Sequence, residues 1–343
     1  MADQPASGGT GGPSPIGIFE ALNGYQRTAA LKAAIELDLF TAVGEGSDTS
    51  AKLALRCEAS ERGIRILADH LTILGFLTKE GDRYGLTRDS AVFLNRRSAA
   101  YVGGAIEFML SPEIMEAHQS LAQAVRQGST TLSGEGSMED NHPVWVAFAR
   151  GMAPMMAPAA AQLPEIAPLP ADRPTRVLDI AAGHGLFGIA YAKRFPPAEV
   201  TALDWAAVLE VARENAEQAG VADRYRLQPG SVFTAELGQR YDLILLTNFL
   251  HHMDLPACEE LLRRLRPALA EGGRVVTLEF VPNPDRVTPP PAAAFALTML
   301  ATTRSGDAYT FEEYDRTFRS AGYGESRIYP LQASAEQVIV TER

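Results

Sequence analysis

Residues 177–188 read VLDIAAGHGLFG, an apolar run followed by a glycine-rich turn and a second apolar segment. The run predicts a buried strand, and Gly183, Gly185 and Gly188 spell G-x-G-x-x-G at the start of a predicted helix. Glycines there let the backbone approach a ligand, and the first helical turn offers unpaired N–H groups. The stretch predicts a strand–turn–helix unit that binds a nucleotide-like cofactor, although a tight turn without a ligand satisfies the same motif.

Short apolar runs and helical stretches alternate on the carboxyl side of this unit. After RVLDIA, the predicted strands are EVTALD, YRLQPG, YDLILLT and RVVTLEF. Such alternation predicts βαβ units and a parallel sheet covered on both faces. Two final strands, SRIYPL and EQVIVTE, are joined only by QASA, which permits an antiparallel hairpin but no crossover helix. The predicted fold class is α/β, with a Rossmann-like seven-stranded domain over residues 171–343.

The chain before the sheet has a different pattern. Residues 16–100 predict three helices and then a small hairpin around Gly81 and Asp82, which is the layout of a winged helix. Residues 101–170 are rich in Met and Ala and predict a helical connector that binds the substrate. Residues 1–15 are rich in Gly, Ser and Pro and predict a disordered tail.

Composition limits the class of partner and compartment. The 343 residues carry a formal net charge of −11, which disfavours binding to a phosphate backbone. The two cysteines, Cys57 and Cys258, lack metal-ligand spacing and suit a reducing compartment, so neither a metal site nor a disulfide is predicted. The longest apolar run, residues 292–301, is too short to span a bilayer. A soluble cytoplasmic protein is therefore expected.

Two aspartates bear on the choice of cofactor. Asp204 ends the second strand of the domain, where a carboxylate can accept both ribose hydroxyls, and this also describes an NAD site. Asp179 lies inside the first strand, where a nicotinamide-binding fold usually has an apolar residue. A buried carboxylate needs a partner, and the methionyl ammonium of S-adenosylmethionine supplies one. Together with the terminal hairpin, which is typical of methyltransferases, Asp179 favours S-adenosylmethionine over NAD.

From about residue 16 to its end, the chain resembles the plant caffeic acid/acetylserotonin type of O-methyltransferase family and its bacterial relatives. LDIAAGHG resembles the family's cofactor loop VDVGGGTG, and LDWAAVL resembles FDLPHVI, which carries the ribose-binding aspartate, here Asp204. LHHMD matches LHDW around the catalytic histidine, here His251, and VVTLEF carries Glu279, which matches a glutamate that orients this histidine. The resemblance implies methyl transfer from S-adenosylmethionine to a small, aromatic hydroxyl acceptor and an N-terminal winged-helix domain that forms a homodimer.

The resemblance also implies contacts with the cofactor and the acceptor. The residues expected at the cofactor are Asp179, Gly183, Gly185, Asp204, Trp205, Ser231, Val232, Phe233 and Asn248. FARGM and TMLATT resemble the family's FNKGM and IMLAHN, and the residues expected near the acceptor are Phe148, Met152, Met299 and His252. For the methionines, core packing is the alternative because Met fills irregular gaps.

Several positions depart from the family pattern. Ser231 replaces an aspartate on the adenine side, and Trp205 replaces a leucine and is expected to stack on adenine. Asn248 stands where an aromatic residue is frequent, and His252 stands where an aspartate is common. Ala308 occupies the position of a second glutamate that supports the histidine. These departures leave open a C-, N- or S-methyltransferase, or a relative that binds the cofactor without methylating.

A winged helix also serves DNA-binding regulators. The candidate recognition helix, SERGIRILADHLTILGFL, carries Arg62, Arg65 and His70 beside several acids and many aliphatic residues. This composition suits a dimer interface better than the major groove. The expected partners are a small-molecule acceptor and a second copy of the chain, rather than nucleic acid or a membrane.

Overall fold

The computed structural model describes residues 12–134, 144–238 and 240–343. One compact unit ends at Gly103, and a second runs from Gly104 to Arg343. The second unit contains both the helices expected for residues 101–170 and the sheet. The domain limits given above stay predictions, and most of the expected tail lies outside the described residues.

Over its described residues, 12–103, the N-terminal unit contains six α-helices and a hairpin. In chain order they are α1 (Ile16–Leu22), α2 (Gly24–Glu36), α3 (Leu39–Gly44), α4 (Ser50–Arg56), α5 (Glu61–Ile73), the antiparallel strands β1 (Leu77–Glu80) and β2 (Arg83–Leu86), and α6 (Arg88–Phe93). Helix α5 buries Ile64, Ala68 and Leu71, whose spacing of four and three residues places them on one helical face. The hairpin follows this helix, and the winged-helix prediction is confirmed.

In the described part of the second unit, four α-helices precede the sheet. They are α7 (Ile106–Met109), α8 (Pro112–Gln119), α9 (Leu121–Gln127) and α10 (Val144–Ile166). Helix α10 contains three interior prolines, each of which removes one backbone N–H donor. A Cβ at Gly151 would lie 2.6 Å from the carbonyl oxygen of Gly104, so a glycine there lets α10 pack directly on the backbone before α7. This contact fixes the helix that carries Phe148 and Met152.

The sheet has seven strands in the order β5-β4-β3-β6-β7-β9-β8. They are β3 (Thr175–Ile180), β4 (Ala198–Asp204), β5 (Tyr225–Pro229), β6 (Tyr241–Thr247), β7 (Leu269–Glu279), β8 (Ser326–Pro330) and β9 (Gln337–Glu342). Strands β3 to β7 are parallel, whereas β9 is antiparallel to both β7 and β8. The predicted α/β class, seven strands and terminal hairpin are confirmed.

Helices cover both faces of this sheet. The helices after β3 are α11 (Leu186–Arg194), α12 (Ala206–Gln218), α13 (Leu255–Leu265), α14 (Pro290–Thr302) and α15 (Phe311–Ser320). Helices α10, α11 and α12 contribute to the core on one face, and α13 and α15 contribute to the core on the other. Helix α14 instead contacts α8 and α9. Leu243 and Leu245 of β6 belong to one core cluster, and Ile244 and Leu246 belong to another. Successive side chains of a strand point to opposite faces, so the apolar run YDLILLT supplies both clusters. No helix in the described ranges has the length and apolar character needed to cross a bilayer.

The parallel strands end at one edge of the sheet. Strand β3 pairs with β4 on one side and with β6 on the other, so the order of connection reverses beside β3. Ligands in open α/β sheets bind outside the carboxyl ends of the strands at such a reversal. The glycine loop follows β3, Asp204 ends β4, His251 follows β6 and Glu279 ends β7. Residues separated by about a hundred positions in the sequence therefore meet at this edge.

Candidate active site

A cavity of about 530 Å³ lies at the carboxyl edge of the sheet. This volume is within the range of ordinary small-molecule sites. Its wall combines the loops after β3, β4, β5 and β6 with residues of α8, α10 and α14. The cavity therefore joins the predicted cofactor loop and the predicted acceptor helices in one site.

The first two motif glycines play different roles. Gly183 borders the cavity, has a φ of 57°, and would bring a Cβ no closer than 3.8 Å to another atom. Gly185 has a φ of 75°, and its Cβ would lie 2.6 Å from the hydroxyl oxygen of Tyr225 and 2.9 Å from Cβ of Ala212. Gly183 thus leaves bare backbone for a ligand, whereas Gly185 permits close packing of the loop. The cavity wall does not include Gly185.

Asp179 lies beneath the glycine loop. The residue is fully buried and does not line the cavity. Its Oδ2 accepts a hydrogen bond of 3.0 Å from the Gly188 backbone N–H, and its Oδ1 has no partner among the described residues. Burial raises the pKa of this carboxyl well above its usual value. The expected contact with a methionyl ammonium stays a prediction; in the structure Asp179 shares the strand face of Val177 and accepts from the first turn of α11.

Asp204 borders the cavity at the end of β4. Its Oδ2 accepts from the Gly183 N–H at 2.8 Å, and its Oδ1 accepts from the Trp205 N–H at 2.6 Å. Desolvation at the cavity wall raises the pKa of Asp204 to about 6, although both N–H donors favour the ionised form. A carboxylate has about four lone-pair sites, so two remain available to ligand hydroxyl groups. The residues fit a ribose here.

The remaining residues predicted at the adenine side also line the cavity. Trp205 is half-buried and packs beside Val208, and Val232 is buried. Phe233 is exposed, and its N–H donates to Ser231 Oγ at 3.3 Å. The structure therefore brings these predicted residues together, and their individual roles stay predictions.

His251 and Glu279 form a buried pair at the ends of β6 and β7. His251 Nδ1 lies 2.5 Å from Glu279 Oε2. Glu279 Oε1 accepts from the N–H groups of Phe249 and Leu250 at 3.1 and 2.9 Å. Because the ionised glutamate can only accept, it holds the imidazole proton on Nδ1. The other nitrogen, Nε2, is left as a proton acceptor on a side chain that borders the cavity.

His252 and Asn248 flank this pair on the cavity wall. The rings of His251 and His252 have centroids 4.3 Å apart, and the edge of His252 meets Trp145 at 5.4 Å. Burial lowers the pKa of His252 well below its usual value, so its ring is neutral near pH 7. Asn248 has a left-handed φ of 53°, and its Nδ2 lies 3.7 Å from the sulfur of Met156.

The other half of the cavity is mainly apolar and aromatic. Phe148, Met152 and Met299 line it, as the sequence predicts. Met155 and Met156, which the sequence places either in the core or in a methionine-rich wall beside the acceptor, also line it. Further lining side chains that the sequence did not predict are Phe108, Met109, Trp145, Phe280 and Phe295. They come from α7, α10, α14 and the end of β7, and no local motif marks them. Among the described lining residues, Asp204 is the only Asp, Glu, Lys or Arg.

Ala308 is fully buried and does not line the cavity. Its backbone oxygen accepts from Arg286 at 2.9 Å. Within the described residues, no group of three or more His, Cys, Asp or Glu side chains has the geometry to hold a metal ion. His251 and Glu279 form a buried His–Glu pair, and His251 borders the cavity.

The packing of Gly185 gives a test of the loop. Gly185→Ala is expected to lower the free energy of unfolding by about 1–2 kcal/mol from its left-handed backbone, and by about 1–3 kcal/mol more from the clash with Tyr225. Gly220→Ala is the control, because Gly220 has a similar φ of 70° but open space around its Cβ. Urea unfolding measures both variants, and equal losses would contradict the packing role.

Comparison with known proteins identifies the two parts of the chain. The profile of the O-methyltransferase domain matches residues 136–324, and the profile of the O-methyltransferase dimerisation domain matches residues 19–96. A candidate O-methyltransferase from Nostoc punctiforme has a crystal structure that superimposes with a TM-score of 0.92 at 50% sequence identity, covering 97% of this chain and 100% of that one.

Two curated relatives from Streptomyces match nearly the full length. One is 3-hydroxy-5-methyl-1-naphthoate 3-O-methyltransferase of Streptomyces sahachiroi, which is 29% identical over 331 residues and covers 94% of each chain. The other is L-tyrosine C(3)-methyltransferase of Streptomyces lavendulae, which is 26% identical over 340 residues, 94% of this chain and 91% of its own. The O-methyltransferase domain profile spans more than half of the chain. The chain therefore belongs to the O-methyltransferase family and is an S-adenosylmethionine-dependent methyltransferase.

Proposed function

We propose that this enzyme methylates a phenolic hydroxyl of a small aromatic acceptor and that His251 is its general base. The proposal rests mainly on the contact between His251 Nδ1 and Glu279, which leaves Nε2 of the imidazole without this partner. His251 borders a cavity that is lined by aromatic side chains. The relative from Streptomyces sahachiroi, which is named for methylating a naphthoate hydroxyl, supports an aromatic acceptor.

The chain supplies alignment and proton transfer. When bound, S-adenosylmethionine provides an electrophilic methyl group on a sulfonium leaving group. Asp204 accepts hydrogen bonds from the ribose hydroxyls, and Gly183 allows close approach of the backbone. His251 Nε2 takes the hydroxyl proton as the acceptor oxygen attacks, and Glu279 stabilises the resulting imidazolium. The proton then leaves to solvent, and the neutral imidazole is restored.

The acceptor half of the cavity favours a flat ring. The rings of Phe148 and Phe108 meet edge to face at 5.0 Å, and Trp145 meets Phe148 at 5.6 Å. The rings of Phe295 and His251 also meet edge to face, with centroids 4.8 Å apart. Aromatic side chains in these orientations offer large apolar surfaces for burying an aromatic ligand.

A second candidate is methylation of a ring carbon of a phenol. It is favoured by the relative named for methylating C3 of tyrosine. The same base would remove the phenolic proton, and the ring carbon would attack the methyl group in place of oxygen. That carbon would then lose its own proton, which restores the aromatic ring, and the phenolate oxygen would take up a proton from solvent. Proton NMR of the product distinguishes the two, because a methoxy group and an aryl methyl group resonate at different shifts.

The first prediction of this proposal concerns the base. His251→Ala is expected to lower kcat by about a hundred- to ten-thousand-fold, while the affinity for S-adenosylhomocysteine changes by less than about twofold. Turnover is measured with a hydroxylated naphthalene selected by screening, and affinity is measured by calorimetry. Glu279→Gln keeps the shape of the pair but removes its charge, so it should also lose turnover. Turnover of His251→Ala within a few-fold of wild type would exclude His251 as the base.

The second prediction concerns Asp204 and pH. Its pKa of about 6 means that the carboxylate predominates above pH 6 and the protonated acid below it. Ribose hydroxyls donate more strongly to the carboxylate, so affinity for S-adenosylhomocysteine should fall about tenfold as pH drops from 7.5 to 5. Asp204→Asn should bind more weakly at pH 7.5 and show little further change. An identical pH dependence in the two proteins would remove Asp204 from the ribose site.

We also propose that the N-terminal unit forms a homodimer. Helices α1 and α2 expose large apolar side chains, and those of Ile16, Phe19, Leu22 and Tyr25 are 58–68% exposed. Exposed apolar clusters of this kind are typical of protein interfaces. The match of the dimerisation-domain profile to residues 19–96 supports the same partner, a second copy of the chain.

The dimer proposal predicts a change of mass in solution. Phe19→Asp places a charge in the apolar cluster and should weaken the dimer at least about tenfold. Val287→Asp is the matched control, because Val287 is 65% exposed but belongs to the other unit. Size-exclusion chromatography with light scattering gives the mass at several concentrations. A monomeric wild type, or a Phe19→Asp variant that stays fully dimeric, would contradict the proposed interface.

A further inference from the structure

His184 stands between the two positive-φ glycines of the loop and is not used by the proposed function. Its side chain lines the cavity although only 2% of the residue surface is exposed. The carbonyl oxygen of His184 accepts from Asn215 Nδ2 at 2.8 Å, which fixes the backbone, and the ring packs on Phe187 with centroids 5.5 Å apart. The imidazole is therefore held in one place beside the ligand cavity.

The contacts of this ring define its tautomer. Nδ1 lies 3.2 Å from the backbone nitrogen of Leu186 and can only accept from that N–H. The ring proton must then be on Nε2. Burial lowers the pKa of His184 to about 4, so the ring is neutral at physiological pH. Within the described residues the ring makes no hydrogen bond other than the one at Nδ1, so Nε2–H is an unused donor of a residue that borders the cavity.

The order of strands assigns this donor to one end of the cofactor. Asp204 at β4 fits the ribose, and the predicted adenine residues follow β4 and β5. His251, the proposed base, follows β6 on the other side of β3. The methionyl end must then lie over the loop after β3, which contains His184. The methionyl end has two polar groups, an ammonium and a carboxylate. The ammonium can only donate hydrogen bonds, so the N–H group of His184 can bind only the carboxylate.

We propose that His184 binds the cofactor by donating Nε2–H to the methionyl carboxylate. The amino end of the nine-residue helix α11 begins two residues later, and its dipole also favours a negative charge at this place. The acid beneath the loop, Asp179, does not oppose that charge when protonated, and burial raises its pKa. The inference depends on the cofactor assigned through the family and not on the proposed base or acceptor.

Two substitutions separate ligand binding from the loop's own hydrogen bond. His184→Asn keeps an oxygen that can accept from the Leu186 N–H but removes the Nε2 donor. His184→Gln places an amide N–H near the position of Nε2. Thermal unfolding without ligand shows whether each variant is folded. The affinity of each is measured by calorimetry for S-adenosylhomocysteine and for 5′-S-(3-aminopropyl)-5′-thioadenosine, which has the amine but no carboxylate.

The proposal expects a ligand-specific loss. His184→Asn should bind S-adenosylhomocysteine about ten- to a hundred-fold more weakly, as for a hydrogen bond to a charged group, and the amine analogue less than about threefold more weakly. His184→Gln should recover much of the affinity for S-adenosylhomocysteine. Equal losses for both ligands, or no loss for either, would overturn the proposal. This test measures ligand affinity and not turnover. A negative result would therefore not bear on His251 as the general base, and a negative result for His251→Ala would not bear on His184.

Discussion

One fully buried carboxylate connects the chemistry of this enzyme to its fold. Burying a charge is costly unless it is paired and hydrogen-bonded. Glu279 meets this requirement by accepting from two backbone N–H groups after β6 and from the Nδ1 of His251. The same contacts join the ends of β6 and β7, close the turn that carries the histidine, and set which ring nitrogen faces the cavity. The orientation of the His251 imidazole is thus a consequence of the hydrogen bonds that Glu279 accepts.

In the cofactor half of the site, backbone N–H groups also hold the carboxyl groups in place. Asp204 accepts from the N–H groups of Gly183 and Trp205, so its carboxylate is fixed before any ligand arrives. Asp179 accepts from the N–H of Gly188 and anchors the start of α11 from below. A preorganised site of this kind loses less conformational freedom on binding. Between these two anchors, the loop presents bare backbone and the imidazole of His184.

Much of this arrangement is visible in the sequence because its signals are local. The apolar run before the glycines, the short QASA link and the alternation of strands and helices predict the seven-stranded sheet, since each depends on neighbouring residues. A strand carboxylate such as Asp179 can face either a ligand or a helix, and its hydrogen bond with the Gly188 N–H of α11 is a contact that no local pattern marks. His184 occupies a variable position of the glycine motif, so the motif does not predict a role for its side chain. The tautomer of its ring follows from the Leu186 N–H, a contact that only the structure shows. The aromatic wall comes from segments as far apart as Phe108 and Phe295, which only the tertiary fold brings together.

The central claim is that the acceptor's nucleophilic atom meets His251. A crystal structure of the enzyme with S-adenosylhomocysteine and a phenolic acceptor tests it most directly. The account predicts that the acceptor oxygen lies within about 2.6–3.2 Å of His251 Nε2, with the acceptor ring against the aromatic wall. An acceptor oxygen bound on another side of the cavity, with His251 Nε2 contacting only water, would contradict it.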